Sequence, residues 1–527
     1  MDKDGPGQAA KLLLAVVLAV ASLLLPASLP LAADAADTVT TLYLTSEGQY
    51  DTLIRILGER GARVLHEVPP GAVIAEGDPS LSAELVAAAI ASFATTEQVS
   101  ADSIPGLSAA QKAGVLAWQS RHLPLPTRAA PDLVSPSDDA RHPEDMAGLQ
   151  GQALDPTLYQ QSEFLIGRIA VNIVLVESDG SVDPNLEDWT PAEKDTVFQQ
   201  VAGALEWWRS LEPRAALQFV YVDHWSSPVR VSYEPIARPH SDERLWISEA
   251  MQRLGFSHSS YITAVRLFNR ASREQHRTDW AFTVFVVDSS NDQDNRFADG
   301  YFAYAYIHGP FMVMTYGNNG YGPEYMAAVA AHEIGHIFGA LDQYAGAGVP
   351  ATATGGYLGV VNGNSELGGS TNVGCIMRGG ITPFLLRQLS FFAAGQVGWR
   401  DTDGDTILDP VDTSVSLQAS LEQSSDGPEL AALAVDEPVP SPLRPPITIN
   451  KVDEARYRVN QGIWRALPPV DGSLDSSVER LLLAMSPAPE GKWQIEVQAA
   501  NTVGNRASKS LQFVVDDGPA PPRTQIH

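Results

Sequence analysis

Residues 332–344 read His-Glu-Ile-Gly-His-Ile-Phe-Gly-Ala-Leu-Asp-Gln-Tyr. On a helix, His332 and His336 are four residues apart, so both imidazoles project from one face and can bind the same metal ion. Glu333 lies beside them, where a carboxylate can take a proton from a water molecule bound to that metal. The preceding residues 324–331 are apolar and favour helix, as a buried active-site helix requires. The stretch therefore predicts a zinc-binding helix with Glu333 as general base.

The residues after this helix supply a third ligand. Gly339 permits a sharp turn, which would return Asp342 to the metal. Two imidazoles and one carboxylate leave Zn²⁺ with net positive charge and an open position, so the pKa of bound water falls toward neutrality. Glu366 is a rival third ligand, but the glycine-rich residues 355–369 disfavour the second helix that it would need. We expect His332, His336 and Asp342 to hold zinc in a hydrolase.

Residues 332–342, together with Cys-Ile-Met at 375–377, resemble metzincin-type zinc peptidases with Asp as third ligand, such as snapalysin. The Asp-Gln-Tyr ending is similar to the immune inhibitor A group of secreted bacterial peptidases. This resemblance implies an α+β catalytic domain with a mixed twisted sheet, a zinc helix and a Met-turn in which Met377 lies beneath the metal. It also implies a secreted endopeptidase. Two departures are that most metzincins use His as third ligand, and that no Tyr follows Met377 until Tyr457.

Composition is consistent with export. The chain has 527 residues and a net charge of −28, which disfavours nucleic acid and anionic membrane surfaces as partners. The apolar run 12–25, followed by small residues at 33–35, predicts a signal peptide over residues 1–36, with an N-terminal membrane anchor as the alternative. No second apolar run is long enough to span a membrane. The single cysteine, Cys375, excludes an intramolecular disulfide.

Several segments surround the zinc motif. Residues 37–104 predict a small α+β module with β-α-β-β-α order, interpreted as a propeptide that keeps the peptidase latent, and 105–165 predict a linker. The catalytic domain is expected over 166–400. Its predicted elements are strands at 169–176, 217–222 and 280–287, a helix starting after the Thr190 capping box, a helical region at 243–274, an edge strand at 303–315 and a final helix near 383–397.

A calcium-binding loop is predicted at residues 401–413. The spacing of its oxygen donors matches an EF-type loop, which gives the expected ligands Asp401, Asp403, Asp405, Ile407 (through its carbonyl), Asp409 and Asp412. Thr406 stands where such loops need glycine, because a β-branched residue dislikes positive φ. An acidic interdomain linker is the alternative. We expect Ca²⁺ in a structural role.

The C-terminal part predicts a proline-rich linker at 414–446, an immunoglobulin- or fibronectin-like β-sandwich at 447–517 and a tail at 518–527. Such a sandwich could bind a cell-surface or carbohydrate ligand. The sequence therefore predicts a secreted zinc endopeptidase with a protein or peptide substrate. The alternatives are an exported adhesion or carbohydrate-binding protein with a vestigial zinc site, and a zinc hydrolase of non-peptide amides or glycan-linked peptides.

Overall fold

The computed structural model of the chain describes residues 38–123, 156–424, 427–485 and 491–515. The predicted signal peptide at 1–36 and the tail at 518–527 lie outside these ranges. Within them, no helix combines the length and apolarity needed to cross a membrane.

The described chain forms nine helices of the α type and eighteen strands, besides short 3₁₀ turns. The helices are α1 Tyr50–Glu59, α2 Ser80–Ala87, α3 Ala109–Ser120, α4 Pro191–Leu211, α5 Glu243–Arg253, α6 Tyr261–His276, α7 Met326–Ile337, α8 Thr382–Leu385 and α9 Phe391–Gln396. The strands are β1 Val39–Leu44, β2 Arg63–Val68, β3 Ala72–Gly77, β4 Phe93–Thr95, β5 Arg168–Ser178, β6 Gln218–Val231, β7 Trp280–Val287, β8 Ala303–Ala305, β9 Phe311–Thr315, β10 Thr354–Gly355, β11 Val360–Val361, β12 Ser414–Ser424, β13 Gly427–Glu437, β14 Val452–Val459, β15 Arg465–Ala466, β16 Val478–Ala484, β17 Gly491–Asn501 and β18 Arg506–Val515.

One mixed sheet of nine strands organises the described residues between 38 and 400, in the order β4-β1-β3-β2-β6-β5-β7-β9-β8. Strands β5 and β7 pair in parallel at its centre and are buried on both faces, as their runs of Val, Ile and Phe predict. Helices α3, α4 and α7 cover one face, and α5 and α6 cover the other. The predictions for residues 169–176 and 280–287 and for the Thr190 capping box are confirmed. The coarse α+β class is confirmed as well.

The N-terminal prediction needs correction. Residues 37–104 do not fold as a separate module, because β2 pairs in parallel with β6 and β1–β4 extend the large sheet. The second helix of the predicted β-α-β-β-α order is Ser80–Ala87, and a further strand, β4, follows it. The predicted linker at 105–165 contains α3. Near its end lies Glu163, which is fully buried and forms an ion pair with Arg444 at 2.6 Å.

Three predictions for residues 166–400, the expected catalytic domain, are coarser than the structure. The expected edge strand at 303–315 is two strands, of which only β8 lies at the edge, while β9 is an interior strand between β7 and β8. The region 243–274 divides into α5 and α6, and the final helix near 383–397 divides into α8 and α9.

The C-terminal part is larger than expected. Residues 414–437 were predicted to be linker, but they form β12 and β13, which pair with β16 in a three-stranded sheet. A second sheet has the order β15-β14-β17-β18. The two sheets share an apolar core that includes Leu430 of β13 and Ile495 of β17. The sequence boundary at 447 is therefore wrong, since two strands of this unit precede it.

Candidate metal centre

Helix α7 presents the two histidines of the zinc motif. Its first turns, from Met326 to Ala331, are buried between the sheet and α4 except at Val329, which explains the run of apolar residues. His332 and His336 follow on the same helix, with exposures of 8% and 2%. The buried first turns of α7 thus hold in place the helix face that carries both imidazoles. The separation of the two imidazoles is fixed by helix geometry.

The helix ends at a left-handed glycine. Gly339 has φ +89°, and a Cβ at this position would lie 2.6 Å from His308 Cε1 and 2.7 Å from Gly356 Cα. A side chain at this position would clash with these atoms, and the left-handed backbone favours glycine. The chain then turns back toward α7. Asn362 donates its amide to the main-chain oxygen of Asp342 at 2.7 Å, which fixes the returning segment.

Three nitrogen and oxygen atoms converge at the end of this turn. The Nε2 atom of His332 lies 3.2 Å from Nε2 of His336 and 3.0 Å from Oδ1 of Asp342, and the last pair, His336 Nε2 and Asp342 Oδ1, is 3.4 Å apart. Asp342 is fully buried. Burial favours a raised pKa for Asp342, but the neighbouring imidazoles of His336 and His332 hold that pKa below its usual range.

The outer nitrogens of both rings are already engaged. His332 Nδ1 donates to the main-chain oxygen of Ile376 and His336 Nδ1 to that of Ala340, each at 2.8 Å. In the neutral rings this leaves a lone pair, not a proton, on each Nε2. Apart from these two imidazoles, no described residue donates a hydrogen bond to either carboxylate oxygen of Asp342. With both rings neutral, the two Nε2 lone pairs and the Asp342 carboxylate form a buried ligand set that fits Zn²⁺.

Met377 lies directly under the helix. It belongs to a 3₁₀ turn at Ile376–Arg378 and is fully buried. A Cβ on Gly335 would come within 2.5 Å of Met377 Sδ, so the sulfur touches the helix backbone between the two histidines. The main chain of this turn also accepts the hydrogen bond from His332 and, at 2.8 Å, one from the Gln343 amide. The turn therefore holds both the His332 ring and the chain segment next to Asp342 in place.

An open pocket adjoins the cluster and encloses about 400 Å³ of empty space, its mouth included. Its lining is Phe302, Tyr321, Ala328, Val329, His332, Glu333, Tyr344, Gly379, Gly380 and Ile381. Glu333 is only 3% exposed, and the Tyr344 ring centroid lies 6.4 Å from that of His332. A carboxylate, two phenol groups and one metal-ligand candidate thus face a mostly apolar cavity.

The rival ligand Glu366 lies outside the cluster. Its side chain is 44% exposed, accepts a hydrogen bond from the Ala345 amide and is 3.9 Å from Arg378. Sequence reasoning missed other supporting residues. His308 donates its amide to the His336 carbonyl and packs against Gly339, and Gln396 accepts from the Leu341 amide. These contacts join residues distant in sequence, and no local pattern marks them.

The predicted calcium loop is only partly assembled. Carboxylate oxygens of Asp401, Asp403 and Asp405 lie within 4.8 Å of one another. Asp409 instead accepts from Thr402 through the main-chain amide and the hydroxyl. The Thr406 backbone has φ +82°, so this threonine adopts the conformation that we expected only of glycine.

Three further contacts involve residues of the expected calcium ligand set. Asp412 Oδ1 accepts from Asn505 Nδ2 at 2.8 Å, so the last of the six predicted ligands is bonded to the C-terminal unit of two sheets. Ile407 follows the three converging carboxylates and donates its amide to Asp405. Asp401 also forms an ion pair with Arg214 at 2.8 Å. Calcium at this loop stays a prediction, with Asp401, Asp403 and Asp405 as its core.

Comparisons with known proteins gave only distant structural matches. No protein-family model matches the chain, and no curated protein matches it significantly. Among solved structures, wild-type OgpA from Akkermansia muciniphila matches with a TM-score of 0.21 and 11% identity, over 69% of this chain and 95% of that one. Catalytically inactive OgpA in complex with an O-glycopeptide (glycodrosocin) substrate matches with a TM-score of 0.22 and 9% identity, over 72% and 98%. TM-scores this low support no argument about this chain.

Proposed function

We propose that this chain is a zinc-dependent endopeptidase of the metzincin type. The observation that carries the proposal is the buried cluster of His332, His336 and Asp342, which opens beside Glu333 into a pocket. A site built only to stabilise a fold would surround the metal with protein ligands on all sides, whereas here three ligands leave room toward the pocket. An open position next to a carboxylate is what metal-assisted hydrolysis requires.

Zinc bound at this cluster would supply a polarised water molecule and a positive charge facing the substrate carbonyl. Glu333 is the residue placed to take the proton from that water and then to pass it to the leaving nitrogen. Loss of the carboxylate charge should therefore slow turnover without removing the metal ligands.

Tyr344 is our proposed donor to the negative charge that develops on the substrate carbonyl oxygen. It lies two residues after Asp342, so the turn that returns the ligand also brings the phenol to the pocket. No Lys or Arg is among the pocket-lining residues, which leaves the hydroxyls of Tyr321 and Tyr344 as its neutral side-chain donors. We choose Tyr344 of these two because its ring centroid lies 6.4 Å from that of His332. A donor aimed at developing charge is typically worth about 10²–10³ in kcat.

The substrate would lie along β8. Among the described strands, β8 pairs with β9 and ends the nine-stranded sheet, and an extended peptide can bind along a terminal strand. Phe302, immediately before β8, lines the pocket, so a peptide bound along that edge would pass the ligand cluster. The largely apolar lining favours an apolar substrate side chain in this pocket.

The test compares the protein with a Glu333→Gln variant, each prepared from residue 38 onward, for zinc content and for cleavage of an unfolded protein. We expect about one zinc per chain in both and a rate at least 10²-fold lower in the variant, as loss of a general base predicts. Equal rates would refute the proposal. Zinc in both proteins without any cleavage, on glycosylated and unglycosylated peptides alike, would favour a binding protein with a vestigial site.

A second pair of variants tests the third ligand. Asp342→Asn should lower zinc affinity, because it replaces a buried anionic ligand with a neutral amide. Glu366→Gln is the matched control, since its side chain lies outside the cluster, and its zinc affinity should equal that of the unmodified protein. The reverse result would assign the metal to Glu366.

A further inference from the structure

We infer that residues 38–123 are a permanent part of the catalytic sheet, to which they contribute β1–β4. A cut between these residues and the rest of the chain would then produce a two-chain enzyme and would release no inhibitor. This inference rests on the proposed peptidase function only where it concerns activity. It replaces the propeptide interpretation of residues 37–104. A propeptide blocks the active site of the enzyme and is then released, whereas these residues would stay bound.

The seam between the two parts is a continuous sheet. Strand β2 pairs in parallel with β6, with His66 opposite Phe219 and Glu67 opposite Val220. Phe219 and Val220 are fully buried. Removal of β1–β4 would expose this apolar part of the β6 edge to water. Parallel strands are normally found buried, so β6 is suited to an interior position.

Buried polar contacts cross the same seam. His66 is 1% exposed and bonds to Tyr221 Oη at 2.9 Å and Glu206 Oε2 at 3.0 Å. Burial lowers the pKa of His66, so its neutral form predominates near neutral pH. Separation of the two parts would leave the phenol of Tyr221 and the carboxylate of Glu206 without this partner.

A second polar contact lies at the neighbouring position of β2. Glu67 is 4% exposed and accepts two hydrogen bonds from Arg168 Nη2, at 2.7 and 2.8 Å. Tyr50 of α1 donates to the same carboxylate at 2.9 Å. A bidentate guanidinium–carboxylate pair is among the stronger contacts in proteins. It joins α1 and β2 to the first residue of β5, an interior strand of the sheet.

Helix packing also joins the two parts, on the face of the sheet that α7 covers. Gly203 of α4 admits Leu123 from the end of α3, since a Cβ there would be 2.3 Å from Leu123 Cδ1. Lys112 of α3 forms an ion pair with Asp195 of α4. Trp118 is 2% exposed and belongs to the same apolar core as the residues around α7. The two parts therefore share one core.

The sheet order also separates this segment from the cleft. Strands β1–β4 occupy one end of the nine-stranded sheet, and β8 occupies the other. No residue of 38–123 lines the pocket that contains Glu333. The segment is thus placed to complete the fold and not to occlude the site.

The experiment introduces the recognition sequence of a site-specific protease within residues 135–144 of the full chain, a run that lies outside the described residues. The association measurement uses the Glu333→Gln background, so it does not depend on activity. After complete cleavage we expect both fragments in one size-exclusion peak at micromolar concentration, with one thermal transition. Fragments that elute separately, or two independent transitions, would overturn the inference.

The activity measurement uses the same insertion with Glu333 intact. The cut and uncut proteins should have specific activities within about twofold of each other, as no inhibitor is released. A rise of tenfold or more on cutting, with loss of the N-terminal fragment, would restore the propeptide interpretation. If neither form cleaves any substrate, the proposed function fails, while the association result still decides the structural inference.

Discussion

Replacement of Gly339 by Ala should damage both stability and metal binding. The glycine has φ +89°, and a left-handed backbone costs a residue with a Cβ about 1–2 kcal/mol. The new methyl group would also lie 2.6 Å from His308 Cε1 and 2.7 Å from Gly356 Cα, one of them main chain that cannot rotate away. Overpacking of this kind costs about 1–3 kcal/mol. Together the two effects predict a loss of about 2–5 kcal/mol in unfolding free energy.

The same change should weaken zinc binding, because the turn at Gly339 determines where Asp342 returns to the cluster. A displacement of the residues that orient a ligand typically lowers metal affinity by about 10–100-fold. Gly348→Ala is the matched control. It has φ +72° but nothing within 4 Å of its Cβ, so it carries the backbone cost without the clash.

The assay is denaturant unfolding of both variants in a chelator, followed by zinc titration of the folded proteins. The chelator removes the contribution of metal binding to stability. We expect Gly348→Ala to lose about 1–2 kcal/mol and to keep normal zinc affinity. If Gly339→Ala loses no more than Gly348→Ala and binds zinc equally well, the close packing at Gly339 and its role in placing Asp342 are both refuted.

Three further predictions concern other parts of the chain. Met377→Ala should destabilise the protein by about 2–5 kcal/mol because the side chain is fully buried, whereas Met377→Leu should cost less than about 1.5 kcal/mol; thermal unfolding separates the two. Burial raises the pKa of Glu234 to about 7, so its contribution to stability is present below pH 4.5 and is lost as pH rises through 7. Between pH 5 and 8 the unmodified protein should therefore lose about 1–3 kcal/mol more than Glu234→Gln, and identical pH profiles in denaturant titrations would contradict this. Calcium should raise the melting temperature of the unmodified protein and of Asp412→Asn but not of Asp403→Asn, because Asp412 bonds Asn505 outside the loop; a lost response in Asp412→Asn would restore the full EF-type ligand set.

The local parts of the structure could be predicted because their signals lie within a few residues. The spacing of His332 and His336 defines a helix face, and the Thr190 capping box marks the start of α4. Strand β12 also carried a local signal that the sequence analysis overlooked. Its apolar residues Val415, Leu417, Ala419 and Leu421 alternate, as in a strand with one buried face, but the prolines downstream suggested a linker.

The sequence by itself determined the ligand face of α7, the need for glycine at 339 and the return of Asp342, since helix periodicity and backbone sterics act over short distances. Only the tertiary structure decided that β2 extends the large sheet next to β6, that β8 and not β9 forms its edge, and that Asp412 bonds Asn505. These outcomes depend on pairings between segments far apart in the chain. The free energy of such pairings depends on contacts between the side chains of both segments. The sequence of either segment alone therefore did not reveal them.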